Sequence, residues 1–324
     1  MATLRQTIAK LVARTRPTLF YYHVPRDKRH GIVARRNGGL LEIFRAETRQ
    51  LIRINTGNAV HLPDMVLSFD YYAQSCEPVE FRYRGEIVRL TDFSAPRLHR
   101  VKGFDDFAVL CPSSTEPFTT TRQYLEFAGL TPGDVALDLG AYCGLTSIAL
   151  SKAVGHKGRV IALEPDPINF AAALVNVRRH AEVNGLDNIV LSEIAAADRD
   201  GTMAMSSEGT MGSALGALVG DYRGHMLDVP TRSLAGIARE FALDRIDLVK
   251  IDIEGAEKLV LPAAGDFLGR FRPRLIIETH VIGGENTRPA VVRFLEEVGY
   301  AFRIEAQEGL PFELIMAWPV DRDA

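Results

Sequence analysis

The chain has 324 residues, 47% of them hydrophobic and 24% charged, with a formal net charge of −3. That is an ordinary globular composition with room for one large domain or two modest ones, and it argues against a dedicated nucleic-acid binder. The three cysteines (Cys76, Cys111, Cys143) fit neither a disulfide framework nor a metal cage, no stretch is apolar enough to cross a bilayer, and the N-terminus lacks a secretory signal, so a cytoplasmic protein is expected.

Residues 1 to about 53 are strongly basic: twelve arginines and lysines, from Arg5 to Arg53, face only Asp27, Glu42 and Glu47. Leu4, Ile8, Leu11 and Val12 form an apolar stripe at helical spacing, closed by Pro17. Two readings stand for this helix. It packs on its own protein with a solvated basic face, or it makes a peripheral contact with an anionic membrane or ligand. Residues 60 to 115 read as irregular and β-rich. Val79–Tyr83 and Glu86–Leu90 alternate apolar and polar around Arg84-Gly85, as a hairpin does. Pro112, Ser113, Ser114 and Pro117 mark a boundary, dividing the chain into 1–115 and 116–324. The first part is expected to be a smaller α+β region serving substrate contacts or contacts between copies in a homo-oligomer.

From Thr119 onward strands alternate with helices, the signature of an α/β domain with a mostly parallel sheet. A helix carrying Tyr124, Leu125 and Phe127 leads into the strand Val135–Leu139, and further strands are expected at 159–163, 189–194, 246–252 and 275–280. The segments 300–304 and 312–318 supply two more, joined by a link short enough for an antiparallel pair. Glycine-rich sequence from Gly201 to Gly224 reads as hairpin and loop.

Polar residues cluster at the carboxyl ends of these strands, where open α/β sheets keep their ligands. The first strand runs into Asp138-x-Gly140-x-x-x-Gly144, with a carboxylate where dinucleotide binders place a glycine pattern. A carboxylate there repels a pyrophosphate and suits the ammonium and sulfonium charges of S-adenosylmethionine. Glu164, ending the second strand, is spaced to take both ribose hydroxyls of either cofactor class, or to cap the helix after Pro165. Asp198 is placed to meet an adenine amino group, or simply closes the turn Asp198–Gly201. Lys250-Ile251-Asp252-Ile253-Glu254-Gly255-Ala256-Glu257 delivers acidic groups to the sheet edge, for donor or substrate contact, for helix-end electrostatics or for Mg²⁺.

The motifs at 138–144, 164–167, 196–201, 250–257 and 277–280, in this order and spacing, resemble those of the FkbM family of S-adenosylmethionine-dependent methyltransferases. The resemblance covers roughly residues 119 to 318. It implies a class I methyltransferase fold, a Rossmann-like seven-stranded sheet whose last strand is antiparallel. It also implies O-methylation, often of a sugar or polyketide hydroxyl, with a small-molecule or glycan acceptor and no nucleic acid. By position, Asp138, Gly140 and Gly144 would hold the methionine part, Glu164 the ribose and Asp198 the adenine end, with Ala141, Tyr142, Pro165, Asp166, Ala197 and Asp252 as further cofactor-binding residues. Tyr142 stands where the family commonly has Asn, which leaves that contact open.

Methyl transfer to an alcohol calls for alignment and for a base. His280 is the expected base, acting as a neutral imidazole, with Lys250, Asp252 and Glu254 as further catalytic candidates. No metal ligand is assigned. The alternatives are a metal-dependent methyltransferase using Asp252, Glu254, Glu278 and His280 around Mg²⁺, and a non-catalytic donor-binding module.

Overall fold

In the computed structural model the described residues are 12, 15–219, 225–282, 284–310 and 313–320. The amphipathic helix expected over Leu4–Arg14 falls, Val12 apart, outside them. Among the described residues no helix is long and apolar enough to cross a membrane.

The N-terminal region is a five-stranded sheet built from β1 (Ile32–Asn37), β2 (Leu40–Arg45), β3 (Gln50–Asn55), β4 (Val79–Tyr83) and β5 (Glu86–Phe93), in the order β1-β2-β3-β5-β4. The β4–β5 hairpin has Tyr83 opposite Glu86, in the register the alternation predicts. The meander β1–β3 was hidden in the sequence by its arginines. Its core residues are Ile32, Leu41, Ile43, Ile52 and Ile54, and they pack on Leu62 of helix α1 (Leu62–Leu67) and Phe69 of helix α2 (Phe69–Ala73). The charges between them are partly internal: Arg53 donates to the buried Glu42 at 2.9 Å.

Helix α3 (Phe118–Ala128) leads into a seven-stranded sheet. Its strands are β6 (Val135–Leu139), β7 (Arg159–Leu163), β8 (Ile189–Ser192), β9 (Leu248–Ile251), β10 (Arg274–Glu278), β11 (Tyr300–Ala306) and β12 (Glu313–Pro319). The order is β8-β7-β6-β9-β10-β12-β11, and β12 lies antiparallel to both its neighbours, as expected for the class I methyltransferase sheet. Helices cover both faces, which is why the strands read as near-continuous apolar runs. Leu137, Leu139, Val249, Ile251, Leu275 and Ile277 fill one core, while Ala136, Leu248 and Ile276 meet Tyr124, Leu150 and Met316 on the other side. The period of two then puts Asp138, Lys250 and Glu278 on the second side, just past the apolar residues.

A small sheet from Ala195–Ala196, Gly201–Ser207, Ala214–Leu215 and His225–Arg232 flanks the carboxyl end of β8. Asp166 fixes it to the main sheet. Its Oδ1 caps helix α4 (Pro167–Asn184) through Ile168 N at 2.8 Å, and its Oδ2 accepts from Ser207 Oγ (2.9 Å), Glu208 N (3.1 Å), Gly209 N (3.0 Å) and Ser213 Oγ (2.6 Å). Asp166 is fully buried, so its removal leaves several donors without water or a partner. Asp166→Ala should lower stability by about 2–4 kcal/mol, combining a lost cap with unsatisfied donors. Urea denaturation of the variant checks this, and a loss below about 0.5 kcal/mol would show the anchor to be dispensable.

Candidate active site

At the end of β6 the chain turns through Gly140, with φ of +79°, so close to the next strand that a Cβ would lie 1.8 Å from the carbonyl oxygen of Asp252. Only glycine fits there. Tyr142 adopts φ of +50°, unusual for a residue with a side chain, and is held by both ends. Its N–H donates to Glu164 Oε2 at 2.7 Å, and its hydroxyl donates to Ser114 O at 2.7 Å while accepting from Ser113 N at 3.1 Å. The family's Asn position is thus taken here by a clasp between the glycine turn and the linker ahead of α3. Gly144, with φ of +83°, opens helix Leu145–Val154.

Behind the turn lies a buried charge cluster. Lys250 Nζ donates to Gly140 O at 2.7 Å and stands 3.3 Å from Asp138 Oδ1 and 3.3 Å from Asp252 Oδ2. Asp138 is fully buried and also accepts from Ser147 Oγ at 2.6 Å. Burial opposes the charge on Lys250, but Asp138 and Asp252 outweigh it and keep the ammonium. Burial likewise opposes the Asp252 charge, yet Lys250 and then His280 hold that carboxyl well below the usual range.

His280 sits among carboxylates. Its Nε2 is 3.5 Å from Asp252 Oδ1 and 3.9 Å from Glu254 Oε1, and its Nδ1 is 3.3 Å from Glu257 Oε1. Burial alone would lower its pKa, but Glu254, Asp252 and Glu257 raise it well above the ordinary value. The carboxylates thus favour the protonated ring over the neutral imidazole expected of a base. Glu257 is itself fully buried and also takes Gly255 N (2.9 Å), His280 N (3.2 Å) and Thr287 Oγ1 (2.6 Å).

Two adjoining cavities open over this cluster. The first is lined by Gly140, Ala141, Tyr142, Glu164, Pro165 and Asp252, so six of the expected cofactor residues come together. Asp138 and Gly144 lie behind its wall, shaping the turn. Three other expectations are corrected. Asp166 is spent on the anchor described above. Asp198 points to the surface, where it pairs with Arg199 at 2.8 Å, and neither it nor Ala197 lines the cavity. The wall at that end is apolar instead, made by Ile194, Ala195, Ala196, Met205 and Leu215. The second cavity lies between the N-terminal sheet and the main sheet, and shares Tyr72, Met211, Glu254 and Glu278 with the first.

Glu116 and Tyr72 are the site residues missed in the sequence. Glu116 lines the first cavity, and burial together with Asp252 pushes its carboxyl up to about 7. Its one signal was its place just ahead of Pro117, in a turn-rich segment that reads as linker. Glu278, lining both cavities, is raised well above its ordinary value by burial and Asp252, and Tyr124 donates to it at 3.4 Å. Burial pushes Glu164 up to about 8, although Asp166 N and Tyr142 N donate to it.

Residues 138–302, just over half of the chain, match the methyltransferase FkbM domain, and the chain belongs to that family. It is a methyltransferase with S-adenosylmethionine as its cofactor. The chain is similar to the 31-O-demethyl-FK506 methyltransferase FkbM of Streptomyces tacrolimicus, 27% identical over 58% of this chain and 80% of that protein. It is also similar to the methyltransferase sdnD of Sordaria araneosa, 22% identical over 60% of this chain and 85% of the other. Among solved structures, methyltransferase FkbM from Methylobacillus flagellatus KT aligns at 18% identity and a TM-score of 0.41, covering 60% of this chain and 50% of that one. The chain thus spans half the length of that solved relative.

Lys250 compensates two carboxylates at once, so removing it should be severe. Lys250→Met should destabilise the fold by about 3–5 kcal/mol, the range for a buried charge stripped of its partner. Thermal denaturation at neutral pH checks this, and a melting point equal to wild type would remove Lys250 as the keystone of the cluster.

Proposed function

We propose that the enzyme transfers a methyl group to a hydroxyl oxygen of a sugar, glycan or related natural product, with the donor in the first cavity and the acceptor approaching from the second. The observation that carries this reading is the pair of carboxyls of raised pKa beside the junction: Glu278 is shared by the two cavities and Glu116 lines the first, and an acceptor hydroxyl needs a proton acceptor there.

The residues present fit the cofactor. Among its described lining residues the first cavity has Lys250 as its single cation, spent on Asp138 and Asp252, beside five carboxyls of which burial favours the neutral form in Glu116, Glu164 and Glu278, a lining with no cation left for a pyrophosphate. Asn169 lines it too and keeps a buried, unpartnered Oδ1. In this reading Gly140, Ala141, Tyr142 and Asp252 hold the methionine part, Glu164 takes the ribose hydroxyls, and the apolar wall from Ile194 to Leu215 receives the adenine. When bound, S-adenosylmethionine supplies an electrophilic methyl on sulfur. Glu116 would take the acceptor's proton as the acceptor oxygen bonds to the methyl carbon, the methyl–sulfur bond breaking and S-adenosylhomocysteine leaving with its electron pair. Glu278, reaching both cavities, positions the oxygen. His280 acts as a fixed positive charge that orients Asp252 and Glu254, while Lys250 holds the turn. Residues 1–115 form the acceptor side and 116–324 the transfer domain, and the basic N-terminal segment is available for an anionic surface or a second copy.

A metal-assisted version is the second reading. Asp252, Glu278 and His280 offer ligand atoms within 4.8 Å of one another. The imidazolium and Lys250 already supply that cluster with positive charge, so the metal-free reading is preferred.

Transfer rates measured with a glycoside acceptor should rise as pH passes through about 7, where Glu116 loses its proton, because only the carboxylate accepts one. Glu116→Gln should remove that limb and lower turnover on the order of 10²–10⁴-fold, with S-adenosylhomocysteine affinity little changed. A variant that keeps the acid limb would exclude Glu116 as the base. EDTA should leave the rate unaltered, and a loss restored by Mg²⁺ would favour the second reading.

A further inference from the structure

The second cavity measures about 300 Å³, at the lower end of the range for small-molecule sites. It has an apolar wall from Ile54, Met65, Tyr72 and Phe93, and polar groups from Asn58, His61, Ser113 and Thr210. Such a mixture suits a ring with an apolar face and hydroxyls at its rim. Asp64, Glu254 and the more nearly neutral Glu278 line it with the His280 ring, and among its described lining residues there is no arginine or lysine. Both imidazoles already face carboxylates: His280 as described, and His61 through Glu208 Oε2 at 2.8 Å. A phosphate or carboxylate entering here would meet like charge and find no guanidinium or ammonium to receive it.

We infer that this cavity is an acceptor subsite for one uncharged or cationic hydroxylated ring, and that it rejects phosphorylated and carboxylated rings. The inference rests on the methyl-transfer reading above. It assigns acceptor choice to the N-terminal region, whose strands β3 and β5 and helices α1 and α2 make the apolar wall, and sets the ring between that wall and Glu278. A glycoside and a hydroxylated carbocycle share this chemistry.

The test is titration of the full chain, saturated with S-adenosylhomocysteine, followed by NMR. The probes are the methyl glycosides of glucose, glucosamine and glucuronic acid, with a cyclohexane diol as the carbocyclic probe. The neutral and amino glycosides should bind at least about tenfold more tightly than the glucuronide, a difference of about 1.4 kcal/mol. Binding by the diol alone would assign the subsite to a carbocycle, still uncharged. Val60→Trp, which fills the cavity away from the donor, should abolish probe binding and leave S-adenosylhomocysteine affinity unchanged. Equal or tighter binding of the glucuronide overturns the inference. So does binding of none of the probes by a protein that still binds S-adenosylhomocysteine, or probe binding that survives Val60→Trp. Failure to bind S-adenosylhomocysteine at all would instead strike at the methyl-transfer reading.

Discussion

The site depends on one buried cation. Lys250 comes from the middle strand of the sheet, paired in register beside Asp138, and its ammonium is shared by Asp138, Asp252 and the carbonyl of Gly140. Each of those groups would be hard to bury alone. Together they lock the end of the first strand, the glycine turn and the acidic loop after the fourth strand into one body. The close approach at Gly140 belongs to the same arrangement, since the Asp252 carbonyl it nearly touches is in the residue whose carboxylate Lys250 holds.

Around that centre, two buried carboxylates do the same work, Asp166 with neutral donors and Glu257 with neutral donors and the His280 ring. Asp166 gathers a helix start and the loop 207–213, and Glu257 gathers the backbone and side chain of His280 with Thr287. The loop 207–213 and the segment at His280 are therefore each fixed by a carboxylate that lines neither cavity. The carboxyls left facing the opening, Glu116 and Glu278, are those without a fixed cation of their own, and their pKa values rise accordingly. The division of labour follows from where positive charge is available.

Much of this was legible in the sequence. The strand ends 138, 164, 252 and 278–280 could be read because buried parallel strands are apolar until they reach the ligand edge. What failed was anything decided by long-range pairing. Asp198 has the right position along the chain, but Arg199 and the surface claim it. His280 is the right residue type at the right strand end, yet its protonation depends on three carboxylates, all of them more than twenty residues away. Glu116 could not be found, because a linker glutamate becomes a site residue only when the N-terminal sheet packs beside the main one. The meander at 32–55 was masked by its own arginines, whose alternation with isoleucine and leucine was the signal overlooked.

The antiparallel strand Glu313–Pro319 has a bearing on how the molecule is assembled during synthesis. It inserts between Arg274–Glu278 and Tyr300–Ala306, with Leu314 opposite Glu278, so the last described strand occupies an interior place in the sheet. A nascent chain can fold the glycine turn and its first crossovers as they emerge. The strand bearing Glu278 stays an open edge until Glu313–Pro319 has been made. The wall that carries Glu278 is therefore completed by a segment made well after the glycine turn.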